Sequence, residues 1–438
     1  MQNAMPIHPA THSKKYLLKG GNVVDVIKNT IIPHQNVWLE NGRIVDITTS
    51  TSTCTSTMED TSEANDWTVL NLTENQYILP GLIDCHVHVT AFTANFSLLE
   101  QTSPTYVAAK ALETLNGMLL RGFTTVRDAG GADHGLALAV EERAPLGLEG
   151  SRLLFCGKAL SQTGGHGDMR RPGEFAHAMS YELCQCCAGL GRVCDGDAEV
   201  RRAARDEIRK GATHIKVMAS GGVSSPTDRI TSTQFSVAEL KAIVEEATAA
   251  NIPVMAHAYT PRAIINAVTA GVRSIEHGNL LDDASATAMA NAGTFMVPTL
   301  LTYEMLKKDG LAQGLTPAMV AKVDNVLEAG KRSIQIAKNH NVRIAFGTDC
   351  LAEMREPQLD QFRLLEEAGM SPVEILQSAT CDAADLIQHK GELGVIAKGA
   401  IGDVLVINGN PLESIQVFQQ WEESCHAIFK EGRLCFGG

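Results

Sequence analysis

Two histidines separated by one residue, His86 and His88, lie in the apolar stretch ILPGLIDCHVHV. Side chains two positions apart in a β-strand point to the same face, so both imidazoles can reach one site. Imidazole nitrogen is a common ligand of zinc and related divalent metal ions. The pair alone is weak evidence, because a histidine in a strand is more often a core residue whose hydrogen bonds are satisfied.

Other residues of metal-binding type occur in separate apolar segments further along the chain. His257 lies in VMAHAY, His277 in SIEHG and Asp349 in IAFGTD, each toward the end of a strand-like segment. Imidazoles together with a carboxylate suit a divalent metal ion. Because these residues come from separate segments, they can share a site only in a fold that gathers the ends of several strands.

Lys216 raises a further question, because it lies between Ile215 and Val217 in a segment with the pattern of a buried strand. A buried ammonium without a partner costs several kcal/mol. Desolvation and nearby cations would both lower its pKa. The neutral amine could then react with carbon dioxide to form a carbamate, an anion whose oxygens could bridge two metal ions. Alternatively, the lysine could pair with a buried carboxylate or act as a Schiff-base nucleophile.

The elements that must position these residues follow a repeating pattern from residue 79 onward. Short apolar segments alternate with helical segments, two of which begin with capping-box spacing (Ser236 with Glu239, and Ser371 with Glu374). Strands alternating with helices predict parallel βαβ units. Eight strand candidates predict an α/β fold, a (β/α)8 TIM-like barrel with its active site at the carboxyl ends of the strands.

Three domain segments are predicted: 15–78, 79–392 and 393–438. The middle segment is predicted to form the barrel that carries the candidate metal site. The two outer segments contain only short strand-like stretches, and neither could bury a sheet alone. We therefore expect them to form one small composite β-sandwich.

Composition narrows the classes of partner. The 438 residues carry 37 Lys and Arg against 50 Asp and Glu, a formal net charge of −13. No run of basic residues occurs, which argues against nucleic acid or an anionic membrane surface as a partner. No apolar segment resembles a signal peptide or a membrane span, and the eleven cysteines mostly stand alone, so we predict a cytoplasmic protein with reduced thiols. The Cys184–Cys194 segment lacks a common metal-ligand spacing, and we interpret it as a loop.

Taken together, the motifs resemble those of the amidohydrolase superfamily. The resemblance covers about residues 15–438 and is carried, in chain order, by PGLIDCHVH, GFTTVRDAGG, HIKVMASGG, HAYTPRAI, SIEHG, FGTD and GDVLVINGNPL. Lys216 on the fourth strand implies the subtype with two metal ions and a carboxylated lysine. The ligand set implied by the resemblance is His86, His88 and Asp349 for one divalent ion, His257 and His277 for the other, and Lys216 as a bridging N6-carboxylysine.

Such a site implies hydrolysis, with zinc as the expected metal. Two metal ions would lower the pKa of a water molecule and polarise the scissile carbonyl. Asp349 would accept a proton and deliver it to the leaving nitrogen, acting first as general base and then as general acid.

Three motifs, SQTGGHGD, ASGGVSS and VMAHAYTPRAI, resemble a narrower branch containing Xaa-Pro and Xaa-Arg/Lys dipeptidases, carboxypeptidase-like members and ochratoxinases. These enzymes cleave an amide whose leaving amine carries an α-carboxylate. Tyr259 and Arg262 could bind that carboxylate, and His166 could contact the carbonyl oxygen or the tetrahedral intermediate. Alternatively, Arg262 is a solvated charge at a helix start, Tyr259 fills the top of the barrel and His166 only belongs to a glycine-rich loop. His177, in the segment 169–192 expected to cover the pocket, is a weaker candidate contact.

The predicted function is hydrolysis of N-acyl amino acids or dipeptides with a free α-carboxylate. Ochratoxin A, which would be cleaved to ochratoxin alpha and phenylalanine, belongs to this class of small molecule. The resemblance also suggests a homo-oligomer. The alternative within the fold is a cyclic-amide hydrolase of the imidazolonepropionase type. A Schiff-base lyase built on Lys216 and a binding protein without metal ions are alternatives from other functional classes.

Overall fold

Parallel strands and a separate mixed sheet make up the β-structure of the protein. The structure, a computed structural model, describes residues 14–50, 66–143, 149–170, 189–312, 315–351 and 357–437. The strands are β1 (Lys15–Asp25), β2 (Thr30–Glu40), β3 (Arg43–Thr49), β4 (Trp67–Asn71), β5 (Gln76–Pro80), β6 (Leu82–Val87), β7 (Phe123–Asp128), β8 (Arg152–Leu154), β9 (Ala159–Ser161), β10 (Gly191–Val193), β11 (Ile215–Met218), β12 (Val254–Ala258), β13 (Ser274–His277), β14 (Phe295–Val297), β15 (Val404–Asn408), β16 (Cys425–Lys430) and β17 (Arg433–Gly437).

The helices begin where the sequence places capping residues. Ser236 and Ser371 each accept a hydrogen bond from the backbone N–H of the glutamate three residues on, and that glutamate bonds back, so both predicted capping boxes are confirmed. The helices are α1 (Phe96–Gln101), α2 (Pro104–Leu120), α3 (His134–Arg143), α4 (Gly196–Arg209), α5 (Val237–Ala249), α6 (Pro261–Ala270), α7 (Asp283–Ala292), α8 (Leu300–Asp309), α9 (Pro317–Asn339), α10 (Asp360–Glu367), α11 (Pro372–Ser378), α12 (Cys381–Leu386), α13 (Gln416–Gln419) and α14 (Trp421–Ser424).

Two parallel sheets carry the predicted site residues. Their strand orders are β6-β7-β8 and β10-β9-β11-β12-β13-β14. Every residue of β6, β7, β11, β12 and β13 is buried, as expected for parallel strands covered on both faces. Helices α2, α4 and α6 pack against β7, β11 and β12 respectively. The predicted α/β architecture with parallel strands is confirmed.

Backbone hydrogen bonds link the edges of these two sheets. At one side, the segment preceding Asp349 lies between β14 and β6, and at the other side the residues flanking β8 and β11 are bonded to each other. These bonds are Cys85 N to Phe346 O (2.8 Å), Ala345 N to Met296 O (2.9 Å) and Thr213 N to Phe155 O (2.9 Å). The strand ends that carry the histidines and Asp349 are thereby held side by side.

The two ends of the chain meet in one mixed sheet. Its order is β17-β16-β15-β5-β1-β2-β3, with β4 paired to β1. Strand β5 pairs antiparallel with β15 and parallel with β1, so a strand from the C-terminal segment extends a sheet begun by the N-terminal one. The predicted composite β-unit is therefore, by its hydrogen bonding, a single sheet of eight strands.

Part of the sequence interpretation falls outside the described residues, namely His177 and the cysteines Cys184, Cys186 and Cys187. The seven cysteines that the structure describes are all free thiols. None of the described helices combines the length and the apolar character needed to cross a bilayer.

A partly buried ion cluster connects the parallel strands to the mixed sheet. Arg152 on β8 donates through Nη1 to Asp403 Oδ2 at 2.6 Å and through Nη2 to Glu431 Oε1 at 2.8 Å. Burial alone would raise the pKa of Glu431, but the charges of Arg152 and Lys430 outweigh it and lower the pKa from 4.5 to about 2. Glu431 is therefore a carboxylate at neutral pH, and its charge balances the buried cations.

We predict that Glu431→Gln lowers the free energy of unfolding at pH 7 by about 2 kcal/mol, because Arg152, which is largely screened from water, loses a charged acceptor. Since the pKa of Glu431 is lower in the folded protein, its contribution is fully present above about pH 4.5 and is lost as the pH falls toward about 2. Urea denaturation between pH 7 and pH 3 measures both effects, with Glu422→Gln, on the exposed face of α14, as the control. Equal acid sensitivity of the wild type and Glu431→Gln would contradict this assignment.

Candidate active site

An open cavity lies at the carboxyl ends of the parallel strands. The six predicted metal-binding residues all line it: His86, His88, Lys216, His257, His277 and Asp349. The fold thus brings to one cavity the side chains that the sequence distributes over five segments.

The imidazoles lie close to Asp349 and to one another. His86 Nε2 and His88 Nε2 are 3.5 Å and 3.4 Å from Asp349 Oδ1. Ligand atoms of His86, His277 and Asp349 all lie within 4.8 Å of one another, a spacing that one divalent ion could span. The ring of His257 lies next to that of His277, with 4.6 Å between the two ring centroids. The donor set fits at least one divalent ion.

Each of the four histidines has one ring nitrogen bonded to the protein. The pairs are His86 Nδ1 with Glu276 Oε2 (2.7 Å), His88 Nδ1 with Gly130 O (3.1 Å), His257 Nε2 with Gly221 O (3.1 Å) and His277 Nδ1 with Thr299 Oγ1 (2.7 Å). A carbonyl can only accept, so Nδ1 of His88 and Nε2 of His257 carry the proton in neutral rings. Partners of this kind fix the tautomer and orient the other nitrogen toward a metal.

Burial keeps these rings in the form that binds metal. It lowers the pKa of His88 from 6.5 to about 3, and the neighbouring positive charge of Lys216 acts in the same direction. The pKa values of His86, His257 and His277 are also well below the usual value, again chiefly because of burial. A metal ion needs the lone pair of a neutral imidazole, so the site favours binding without competition from protons.

Lys216 is almost completely buried, with 1% of its surface exposed. Burial lowers the pKa of its amine, although the negative charges of Glu276 and Asp349 oppose the shift. In the described part of the chain, no carboxylate lies within ion-pair distance of this amine. A salt bridge would be the simplest explanation for a buried lysine, and the structure does not show one. Burial also raises the pKa of Asp349 to about 7, although the positive charge of Lys216 opposes the shift.

Behind the histidines lies a second buried ion pair. Arg127 Nη2 donates to Glu276 Oε1 at 3.0 Å, while the other oxygen of Glu276 bonds to His86. Arg127 also donates through Nε to Cys85 O at 2.7 Å, so it holds the strand that carries the His-x-His pair. The sequence interpretation missed both residues, although each is a charge in an apolar strand, the same signal that identified Lys216.

Asp84 connects the His-x-His strand to the loop of Asp349. Its carboxylate accepts from His86 N at 3.1 Å and, with the other oxygen, from Thr348 Oγ1 at 2.7 Å. Asp349 itself has a φ of 54° and His277 a φ of 71°, left-handed backbone that is unusual outside glycine. Residues in such conformations persist where the surroundings fix them, which is frequent at functional sites.

The three candidate substrate contacts have different positions. His166 lines the cavity, and its ring stacks on that of His257 at 4.3 Å. Tyr259 also lines it, with its hydroxyl 2.7 Å from that of Tyr303. Arg262 is exposed, donates through Nε to Thr233 Oγ1 at 2.7 Å and is not part of the cavity wall. Its side chain at the start of α6 turns to a neighbouring loop, so its proposed contact with substrate has no support in this geometry.

Comparison with known proteins identifies the family and agrees with the fold. The amidohydrolase family profile matches residues 77–434. Ochratoxinase from Aspergillus niger is 34% identical over 370 residues, which cover 82% of this chain and 76% of that protein. A crystal structure of a prolidase complexed with N-methylphosphonate-L-proline is 44% identical, with a TM-score of 0.89, covering 96% of this chain and 99% of that chain. A Xaa-Pro dipeptidase with bound methionine in its active site is 27% identical, with a TM-score of 0.83, covering 97% and 100%.

We predict that Thr299→Val weakens metal binding by about 10-fold to 100-fold, because Nδ1 of His277 loses its partner. Thr302→Val is the matched control, since Thr302 is equally buried and lines the cavity but its hydroxyl has no hydrogen-bond partner in the structure. Metal content at a series of buffered free zinc concentrations measures the difference. Equal affinities for the two variants would show that Thr299 does not orient a ligand.

Proposed function

The chain belongs to the amidohydrolase family and is a hydrolase of C–N bonds, and from this premise we propose that it cleaves the amide of N-acyl amino acids or dipeptides bearing a free α-carboxylate. The observation that carries the proposal is the meeting of four oriented imidazoles, Asp349 and buried Lys216 at one cavity. The two parallel sheets, linked at their edges, would form the closed (β/α)8 barrel that presents these residues.

We propose that the site holds two divalent ions, expected to be zinc. In the proposal, the residues divide as His86, His88 and Asp349 for one ion and His257 and His277 for the other, with Lys216 between them. Burial favours the neutral amine of Lys216, which can attack carbon dioxide. A new N–C bond forms, one proton leaves the nitrogen, and the product is the anionic N6-carboxylysine. The buried cation thereby becomes an oxygen ligand, which removes the cost of an unpaired ammonium.

When bound, the metal ions would supply an acidified water and polarise the scissile carbonyl. The Asp349 carboxylate accepts the proton of the attacking water and passes it to the leaving nitrogen as the C–N bond breaks. The products are the free acid of the acyl group and the free amine of the amino acid.

Two polar residues of the cavity wall could meet the rest of the substrate. His166 and Tyr259 lie on the side of His257 and could bind the substrate carboxylate or carbonyl oxygen, with ring centroids 4.3 Å and 4.8 Å from His257. Apolar side chains also line the cavity, including Phe96, Met218 and Leu306. Such a lining suits uncharged side chains such as proline, methionine or phenylalanine, and ochratoxin A is a candidate of this class.

We predict that the enzyme releases free amino acid from N-acyl amino acids and dipeptides, and that amidation of the substrate α-carboxylate lowers kcat/KM by at least about 10-fold, the value of one lost charged hydrogen bond. A panel varied at the C-terminal residue, with ochratoxin A included, measures this by chromatography. A cyclic amide of the imidazolonepropionate type is the competing substrate. Lactam opening without release of any amino acid would contradict the proposal.

We also predict that Lys216→Met loses about 1,000-fold in kcat and cannot retain about two metal ions per chain, because no bridging anion remains. Lys430→Met is the control for loss of a buried lysine, since Lys430 is 2% exposed and packs near Arg152. Kinetics and metal analysis on the same preparations test both statements. Full activity of Lys216→Met would exclude the bridging role, and equal losses in the two variants would attribute the effect to folding.

A further inference from the structure

The loop 221–228, between β11 and α5, forms one wall of the cavity. Val223 and Ser224 line the cavity directly. Gly222 lies against the imidazole of His166, and a Cβ at this position would lie 2.2 Å from His166 Cε1, so only glycine fits. The other face of the ring stacks on His257. The imidazole of His166 is therefore held between the loop and a residue of the proposed metal site.

The same loop fixes the rotation of the His166 ring. Ser225 Oγ is 2.9 Å from His166 Nδ1, and Asp228 Oδ2 is 3.4 Å from the same nitrogen. The Asp228 carboxylate also accepts from the Ser225 hydroxyl and, at 3.1 Å, from Gly222 N. Because the Ser225 hydroxyl gives its proton to Asp228, its oxygen accepts from Nδ1–H of His166. Nε2 is then the ring nitrogen left for the substrate, and it donates to a substrate oxygen when the ring carries both protons. Any displacement of the loop would move His166.

Lys322 ties this loop to α9. Its Nζ donates to three backbone carbonyls of the loop, Gly222 O at 3.1 Å, Ser225 O at 3.4 Å and Asp228 O at 3.1 Å. The ammonium has three N–H donors, and the loop supplies three acceptors. Asp228 Oδ1 lies 3.9 Å away and adds an electrostatic attraction. One side chain thus holds three points of the loop backbone, beside the two residues that contact His166.

We propose that Lys322 is a positioning residue for amide hydrolysis: it holds the loop 221–228 so that Ser225 and Asp228 orient His166 toward the substrate oxygen. The inference rests on the proposed function, because the orientation of His166 matters for turnover only if His166 contacts the reacting substrate. A misplacement of about 1 Å at a group that meets the transition state can cost about 100-fold in rate, and a partly restrained loop should lose less. We therefore expect a loss of the Lys322 contacts to lower kcat.

The test uses Lys322→Met, which keeps the length of the side chain and removes the three donors. Lys331→Met is the matched control, because Lys331 lies on the same helix, has similar exposure and pairs with Glu367 at 2.9 Å, away from the loop. Both variants are also made in a His166→Ala background. Kinetics on the best substrate of the panel, metal content and hydrogen exchange of the loop amides are measured on the metal-loaded proteins.

The expected result is about a 10-fold fall in kcat for Lys322→Met, with KM and metal content little changed, faster exchange of the 221–228 amides and wild-type behaviour of Lys331→Met. In the His166→Ala background, Lys322→Met should have less than about a twofold further effect, since the two residues act through one contact. A merely structural lysine would lower activity equally in both backgrounds.

Two outcomes with an active enzyme overturn the inference and leave the proposed function intact. In the first, the loop amides of Lys322→Met exchange faster but its kcat is unchanged. In the second, the reductions in activity caused by Lys322→Met and His166→Ala are additive. Failure of the wild type to hydrolyse any N-acyl substrate instead removes the proposed function. Unchanged exchange of the loop amides in Lys322→Met overturns the inference whatever the substrate.

Discussion

The structure is organised around the cost of placing ionisable groups where water is excluded. Lys216 and four imidazoles lie almost fully buried at the ends of parallel strands. Charged forms are disfavoured there, so the imidazoles are neutral and the lysine amine tends to lose its proton. A neutral amine and four neutral imidazoles are nucleophiles and metal ligands. In an ordinary core, burying these residues would cost free energy. At this cavity, the same burial keeps them in the neutral forms that can bind metal ions or act as nucleophiles.

A second layer of contacts makes this arrangement specific. Glu276 connects His86 to Arg127, and Asp84 connects the His-x-His strand to the loop that carries Asp349. Thr299 restrains His277. Because each partner fixes one atom of a proposed ligand residue, the free atoms are directed to one place before any metal or substrate arrives. The parallel strands supply position, and these partners supply orientation.

The strand-borne part of this site could be predicted from the sequence, since polar residues that interrupt apolar segments are conspicuous and strand periodicity assigns them a common face. Glu276 and Arg127 carry the same signal and could have been included. Thr299, Ser225 and Lys322 could not, because they come from a loop or a helix and matter only through contacts with residues far away in the chain. Arg262 shows the opposite case. Its place after β12 suggested a substrate contact, but in the structure its Nε donates to Thr233. The pairing of β5 with β15 joins strands that are far apart in the sequence. Each strand appears in the sequence only as a short apolar segment, which does not identify its partner.

The claim on which the account depends is that the buried amine at position 216 becomes an anion between two cations. Carbon-13 NMR of the metal-loaded protein, prepared with labelled bicarbonate, tests it most directly. The account predicts one carbamate resonance per chain, absent in Lys216→Met and lost from the wild type when the metal is removed at low pH. A fully active, metal-loaded enzyme without that resonance would contradict it.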